Sequence, residues 1–215
     1  MNLKHYIGIL CVCGTVACKQ KAATNETDTT ATAIQKEESD TLKGTPERKS
    51  ETVGPDWLIK PGAGIGQTTL KEGSEKVVAR LGKPDGGDAA MGKSVSVWYA
   101  DHNKRGYVTQ VYFTKNMGND DTARVKVIRV SSPSFKTDKG IYTGVLLKEA
   151  EARFQLKKIG SFKTELSDRS IFDDQAAGIA FDTDRSGTIT GIAVHEKGVS
   201  ALNAYMAFFS NVKAE

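Results

Sequence analysis

Three runs near the middle of the chain alternate with a period of two: SVSVWYA (94–100), GYVTQVYF (106–113) and TARVKVIRV (122–130). Successive side chains of a strand point to opposite faces, so these runs read as half-buried strands. The separators DHNK and NMGNDD are turn material, which predicts an antiparallel meander. Ahead of it, in LKEGSEKVVARLGKPD, Val77, Val78 and Leu81 fall on one side at helical spacing, and Gly82 with Pro84 stops the helix.

The same order recurs downstream. GVLLKEAEARF (144–154) places Leu147, Ala150 and Phe154 on one helical face, and SFKTEL, RSIFDD, AGIAFDTD and GTITGIAVH follow as strand candidates. Ala152-Arg153-Phe154 can be laid over Ala79-Arg80-Leu81. The expected fold is therefore α+β: two tandem helix-plus-antiparallel-meander units, 54–131 and 132–215. A C-terminal helix closes it at SALNAYMAFF (200–209), with Ser200 as cap and Leu202, Tyr205, Met206 and Phe209 on one face.

The N-terminus sets the compartment. Lys4 and His5 precede an uncharged stretch from Tyr6 to Ala17, shorter than the roughly 20 apolar residues that span a bilayer, so 1–17 reads as a signal peptide. Ala17 stands immediately before Cys18, and Thr15-Val16-Ala17-Cys18 resembles a bacterial lipobox, with Thr15 where Leu is commonest. Lipidation of Cys18 is the expected consequence, giving a membrane anchor through buried acyl chains. Cys11 and Cys13 are poorer cleavage sites because bulky Leu10 and Val12 precede them, and no cysteine follows Cys18. A disulfide framework, cysteine-ligated zinc and a thiol nucleophile are thereby excluded from the mature domain. Residues 18–53 form the lipidated cysteine and a tether: between Lys19 and Thr52 only Ile34 and Leu42 are large and apolar, too few to offset ordering entropy.

Six basic and seven acidic residues nearly cancel along the tether, so the formal net charge of +4 belongs to the domain. Spread over interleaved acids, it does not make the concentrated basic face of a nucleic-acid binder. GDAAMGKS (87–94) satisfies G-x-x-x-x-G-K-[ST], but a phosphate loop needs a strand entering and a helix leaving. Here a helix ends at Leu81 and a strand begins near Ser94, so no nucleotide is expected and Lys93 reads as solvated. In DTDRSGTITGIA (182–193), Asp182, Asp184 and Ser186 follow the start of a calcium loop, but Ala193 stands where a bidentate Glu is needed. A hairpin turn is the simpler reading, with these three as the candidate ligands of a calcium site in the alternative. The mature chain has only His102 and His195, neither in a metal-ligand spacing, and no G-x-S-x-G elbow. Asp120-Asp121 and Asp173-Asp174 are adjacent and beside turns, which does not make an acid/base pair. No catalytic residue, cofactor or metal is expected.

Trp98 alternates to the face opposite Val95, Val97 and Tyr99. With helices covering one face, it would fall on the more open one, and Trp98, Tyr107 and Tyr112 become candidate partner anchors. Two stretches, Val77-Val78-Ala79-Arg80-Leu81-Gly82-Lys83-Pro84-Asp85 and Phe135-Lys136-Thr137 through Gly140-Ile141-Tyr142-Thr143-Gly144, together with the lipobox and tether, resemble bacterial envelope lipoproteins of the SmpA/OmlA (BamE-like) and β-lactamase-inhibitory-protein-like fold group. Gly144 keeps that group's usual glycine before the second helix, whereas Lys71 replaces it before the first. The resemblance implies a non-catalytic protein that binds another protein in the envelope or aids envelope assembly, held at the membrane, expected to be the outer one, through Cys18. A small-ligand or calcium-binding lipoprotein is the second reading, and a hydrolase the third.

Overall fold

The structure is a computed structural model that describes residues 53–215; residues 1–52, where the expected signal peptide, lipidated Cys18 and tether fall, lie outside the described residues. In chain order the elements are β1 (Leu58–Lys60), β2 (Gly64–Ile65), β3 (Thr68–Thr69), α1 (Ser74–Leu81), β4 (Gly86–Ala90), β5 (Lys93–Tyr99), β6 (Val108–Asn116), β7 (Asp120–Val130) and β8 (Lys136–Thr137). They continue with α2 (Leu147–Glu151), β9 (Lys157–Lys163), β10 (Asp168–Asp174), β11 (Ile179–Thr183), β12 (Ile189–His195), α3 (Leu202–Phe208) and β13 (Lys213–Ala214).

The expectation of two tandem helix-plus-meander units is overturned. One antiparallel nine-stranded sheet runs in the order β13-β9-β10-β11-β12-β7-β6-β5-β4, and β3-β2-β1-β8 form a second, mixed sheet in which β1 and β8 are parallel. The seam is β7 against β12, with Val130 opposite Ile192 and Val127 opposite His195. Sequence-remote strands thus share one hydrogen-bonded surface, and the fold is β-rich with short helices laid on it. Isolated helices under about 12–15 residues are marginal in water. At eight, five and seven residues, α1, α2 and α3 depend on docking. Only Ala150 of α2 is buried, and the helix stops at Glu151, short of the apolar stripe that extends to Phe154.

Alternation along the central strands sorts two cores onto the two faces of the large sheet. Val111, Phe113, Ile128, Val130, Ile179, Phe181, Ile192 and Val194 face one way, where Val77 of α1, Ala150 of α2, and Ile59 and Ile65 of the small sheet cover them. Tyr112, Val127, Ala180 and Ala193 face the other way, beneath Ala204 and Tyr205 of α3. Because both faces are covered, the central strands are buried on both sides, as in sheets sandwiched between layers. A shift of register between Tyr112 and Phe113, opposite Val127 and Val125, puts Val125 and Val127 in different cores.

Under α3 the second core contains a charge pair. Arg129 of β7 and Asp182 of β11 flank β12, opposite Ala193 and Gly191 respectively, and their side chains meet across it: Nε to Oδ2 and Nη2 to Oδ1, both 2.8 Å. Gly191 makes this crossing possible, since a Cβ there would collide with both the guanidinium and the carboxylate. Gly191→Ala is therefore expected to lower stability by about 3 kcal/mol or more through overpacking and a displaced buried ion pair. Urea unfolding of the two proteins, followed by far-UV circular dichroism, measures this.

Candidate functional site

The polar network beneath α3 joins buried Gln110, Arg129, Asp182 and Tyr205 to half-buried Thr190. Besides Arg129, the Asp182 carboxylate accepts the Thr190 hydroxyl at 2.8 Å and the Tyr205 hydroxyl at 3.0 Å, while Arg129 Nη1 donates to Gln110 Oε1 at 2.9 Å. The Phe209 ring lies 5.3 Å from the guanidinium carbon. Burial alone would raise the carboxyl's pKa, but the Arg129 charge and the hydrogen bonds from Arg129, Thr190 and Tyr205 outweigh it and hold Asp182 below its ordinary value. For Tyr205, burial and then the neighbouring Asp182 charge push the phenol well above its ordinary value, so it remains a donor. Arg129, Asp182 and Tyr205 are thus bonded to one another or to neighbours inside the fold, an arrangement built for structure.

The three calcium candidates are not brought together. Asp182 is consumed inside the sheet, whereas Asp184 turns outward to accept the Ser186 hydroxyl and the N–H groups of Ser186 and Thr188 in the β11–β12 hairpin. Those bonds, the Ser186 hydroxyl first, lower the Asp184 pKa. Among the described residues no three His, Cys, Asp or Glu side chains cluster as metal ligands.

Both histidines are paired with an aspartate, in places far apart in sequence. Buried His195 faces Asp173 through Nε2 at 2.9 Å, and its Nδ1 lies 3.0 Å from the Glu196 carbonyl. A carbonyl and a carboxylate both only accept, so each ring nitrogen of His195 faces an acceptor. The second Asp173 oxygen accepts the Ala201 N–H, tying the start of α3 to β10. Next to it, Asp174 accepts the N–H groups of Gln155 and Ala177. The adjacent acids thus clamp backbone at two places. Exposed His102 meets Asp85 at 2.6 Å, and Asp85 also accepts the Tyr99 N–H, latching the end of β5 to the segment after α1. The Tyr99 N–H and then His102 lower the Asp85 pKa.

The three candidate anchors do not form one surface. Trp98 is 7 % exposed, lies in the core under α1, and donates its indole N–H to Gly82 O at 3.0 Å. Tyr112, also 7 % exposed, lies in the opposite core, and Tyr107 alone is open, at 54 %. The more open face expected for Trp98 does not exist, because the small sheet and α1 cover it. The string GDAAMGKS is a β-hairpin: β4 leads into a two-residue turn with Met91 and Gly92 at φ 50° and 74°, and Lys93 opens β5. Two positive φ values in a two-residue loop match the twist of paired strands.

Surface clefts remain, among them one of about 570 Å³ at the start of α1 lined by Gly73, Lys76, Lys115 and Arg124. Trp57, 49 % exposed, packs its ring 5.1 Å from that of Phe135 and, with Leu81 and Ile128, lines a cleft of about 280 Å³. Arg80 borders it, forked onto both Glu72 carboxylate oxygens at 2.9 and 2.7 Å, with its buried Nε unpartnered. The Arg80 hydrogen bonds lower the Glu72 pKa. A further groove, about 460 Å³, lies between β4 and the C-terminal end of α3. The sequence does not single out Trp57 with Phe135, or the α3 groove, as a site because each is made by segments whose meeting is not local.

The electrostatics give a testable pH dependence. Asp182 has a depressed pKa when folded, so its contribution is present above the ordinary carboxylate value of about 4 and is lost as pH falls through the folded value. Asp182→Asn is expected to cost about 3–5 kcal/mol at pH 7 by leaving Arg129 buried without its counter-charge. Its urea midpoint is also expected to fall less than the wild type's between pH 7 and pH 3. Equal falls in both proteins would mean that Asp182 does not titrate with folding.

No protein-family model and no curated protein matches the chain. Among solved structures, an extracellular protein containing a SCP domain from Bacillus anthracis str. Ames is similar over 60 % of this chain and 44 % of its own, at 14 % identity and a TM-score of 0.39. The chain thus spans less than half the length of that protein, and a likeness of this degree transfers neither fold nor activity.

Proposed function

We propose that this chain is a lipid-anchored, non-catalytic protein of the bacterial cell envelope that works by binding another protein. The observation that carries the reading is the N-terminal pattern: Lys4 and His5, an uncharged stretch from Tyr6, and Ala17 directly before Cys18. Downstream, 19–52 is rich in Lys, Glu, Thr and Ala and suits a spacer between a lipid and a domain. The domain's buried acids and bases, Arg129 with Asp182 and His195 with Asp173, are spent on internal pairing, and part of its open apolar surface, Trp57, Leu81 and Met206, lies in clefts that suit a protein partner. The outer membrane is the membrane we assign.

Metabolic labelling with a radioactive fatty acid tests the anchor. The full chain expressed in a bacterial host is expected to take up label and sediment with membranes, and Cys18→Ser to lose the label and enter the soluble fraction. An unlabelled wild-type chain, or label retained in Cys18→Ser, would overturn the proposal.

A further inference from the structure

We infer that the groove between edge strand β4 and the end of α3 binds an extended segment of a different protein by strand addition, with a basic residue opposite Asp88 and an apolar residue two positions away. The inference rests on the protein-binding reading above and gives it a place and a partner chemistry.

The two ends of the nine-stranded sheet differ. β13 is two residues long and carries Lys213, a short and charged edge of the kind that discourages pairing. β4 is five residues long, GGDAA, exposed throughout, and pairs only with β5 among the described residues. It holds no Lys and no Pro, and its Gly and Ala side chains leave the backbone open. Ala90 and Lys93 close the two-residue turn as a hydrogen-bonded pair, so by the alternation of an antiparallel ladder Ala89 opposite Ser94 turns its N–H and C=O outward. The Ala89 N–H is held at 2.8 Å by Oδ1 of the neighbouring Asp88, a bond within the edge itself.

Beside this edge lies a place for side chains. Asp88 is opposite Val95 and Ala90 opposite Lys93, which puts Asp88 and Ala90 on the α3 side of the sheet. There the groove is lined by Asp88, Lys93, Val95, Tyr112, Met206 and Phe208, with the Lys93 amine not paired to Asp88. An added strand would take over the Ala89 N–H from Asp88 Oδ1, pair with the outward Ala89 carbonyl, and point every second side chain into the groove, which is how strand addition couples backbone affinity to side-chain choice. Among the described residues Asp88 has no ion-pair partner, so a basic residue opposite it is complementary. The same charge disfavours a second copy, since two β4 strands paired about their midpoints would set Asp88 against Asp88.

The test uses the full chain in intact envelopes, with a benzophenone amino acid placed at Ala207, which lines the groove, or at Trp57 in the other cleft. The expected result is an adduct from position 207 whose cross-linked segment, mapped by mass spectrometry, has Lys or Arg two residues from a large apolar residue. Ala89→Pro removes an outward N–H and its bond to Asp88 Oδ1 but no ladder bond, so it is expected to keep the fold and cut the adduct at least tenfold. Met206→Glu, a charge in the exposed groove wall, is expected to do the same and serves if Ala89→Pro does not fold. An adduct that survives both variants, or one formed only from position 57, overturns the strand-addition site and leaves the protein-binding reading standing. An adduct with a second copy or with residues 19–52 of the same chain overturns the assigned partner. No adduct from either position overturns both readings.

Discussion

Everything on the α3 side of the large sheet is arranged around one charge pair that reaches over a strand. Arg129 and Asp182 belong to strands that are not neighbours, and they meet only because the strand between them presents Gly191 and Ala193. Two charges taken out of water are costly, and the cost is offset only by close geometry and by partners for the remaining donors and lone pairs. Gln110, Thr190 and Tyr205 supply those partners. The pair thereby fixes the relative positions of β6, β7, β11, β12 and α3, and an apolar filling of the same space would carry no such directional information.

Tyr205 connects this pair to the helix above it. Its ring packs within 6.1 Å of Phe162 and 6.2 Å of Phe209, and its hydroxyl reaches Asp182. At the start of α3, Asp173 accepts the Ala201 N–H while facing His195. A seven-residue helix with no side-chain cap is thus held by buried polar contacts at its start and its midpoint, with aromatic packing around Tyr205. The helix also forms one wall of the β4 groove, so the rigidity of the internal network extends to a surface.

Much of the strand content was legible because period two survives in the sequence. SVSVWYA, GYVTQVYF and TARVKVIRV lie largely within β5, β6 and β7. The assembly was not legible, because the bond between β7 and β12 joins residues as remote as Val130 and Ile192, and no local pattern encodes which edges meet. β4 went unseen because GGDAA has no alternation, and β1, β2, β3 and β8 are too short to show a period. Trp98 was misplaced for a related reason: its face depends on a second sheet that the pattern does not announce. One signal in the sequence could have been used. Arg129 shares a face with Val127, a charge on an apolar side, and such a residue needs a buried partner. The alternation of Ala180 with Asp182 in AGIAFDTD offered that partner, and weighing Asp182 as a calcium ligand obscured it.

The β7–β12 seam also orders events in time. A chain made from its N-terminus completes β4 to β7 well before residues 189–195 exist, and until then the apolar side of β7, with Ile128 and Val130, is an open border with no strand to close it. Contacts of such long sequence separation form late and slowly, and an unpaired border is the part of a nascent sheet most exposed to wrong association. The half-made protein therefore depends on being kept apart from other chains until its last third arrives, a requirement that falls on the machinery that handles it rather than on any contact in the finished fold.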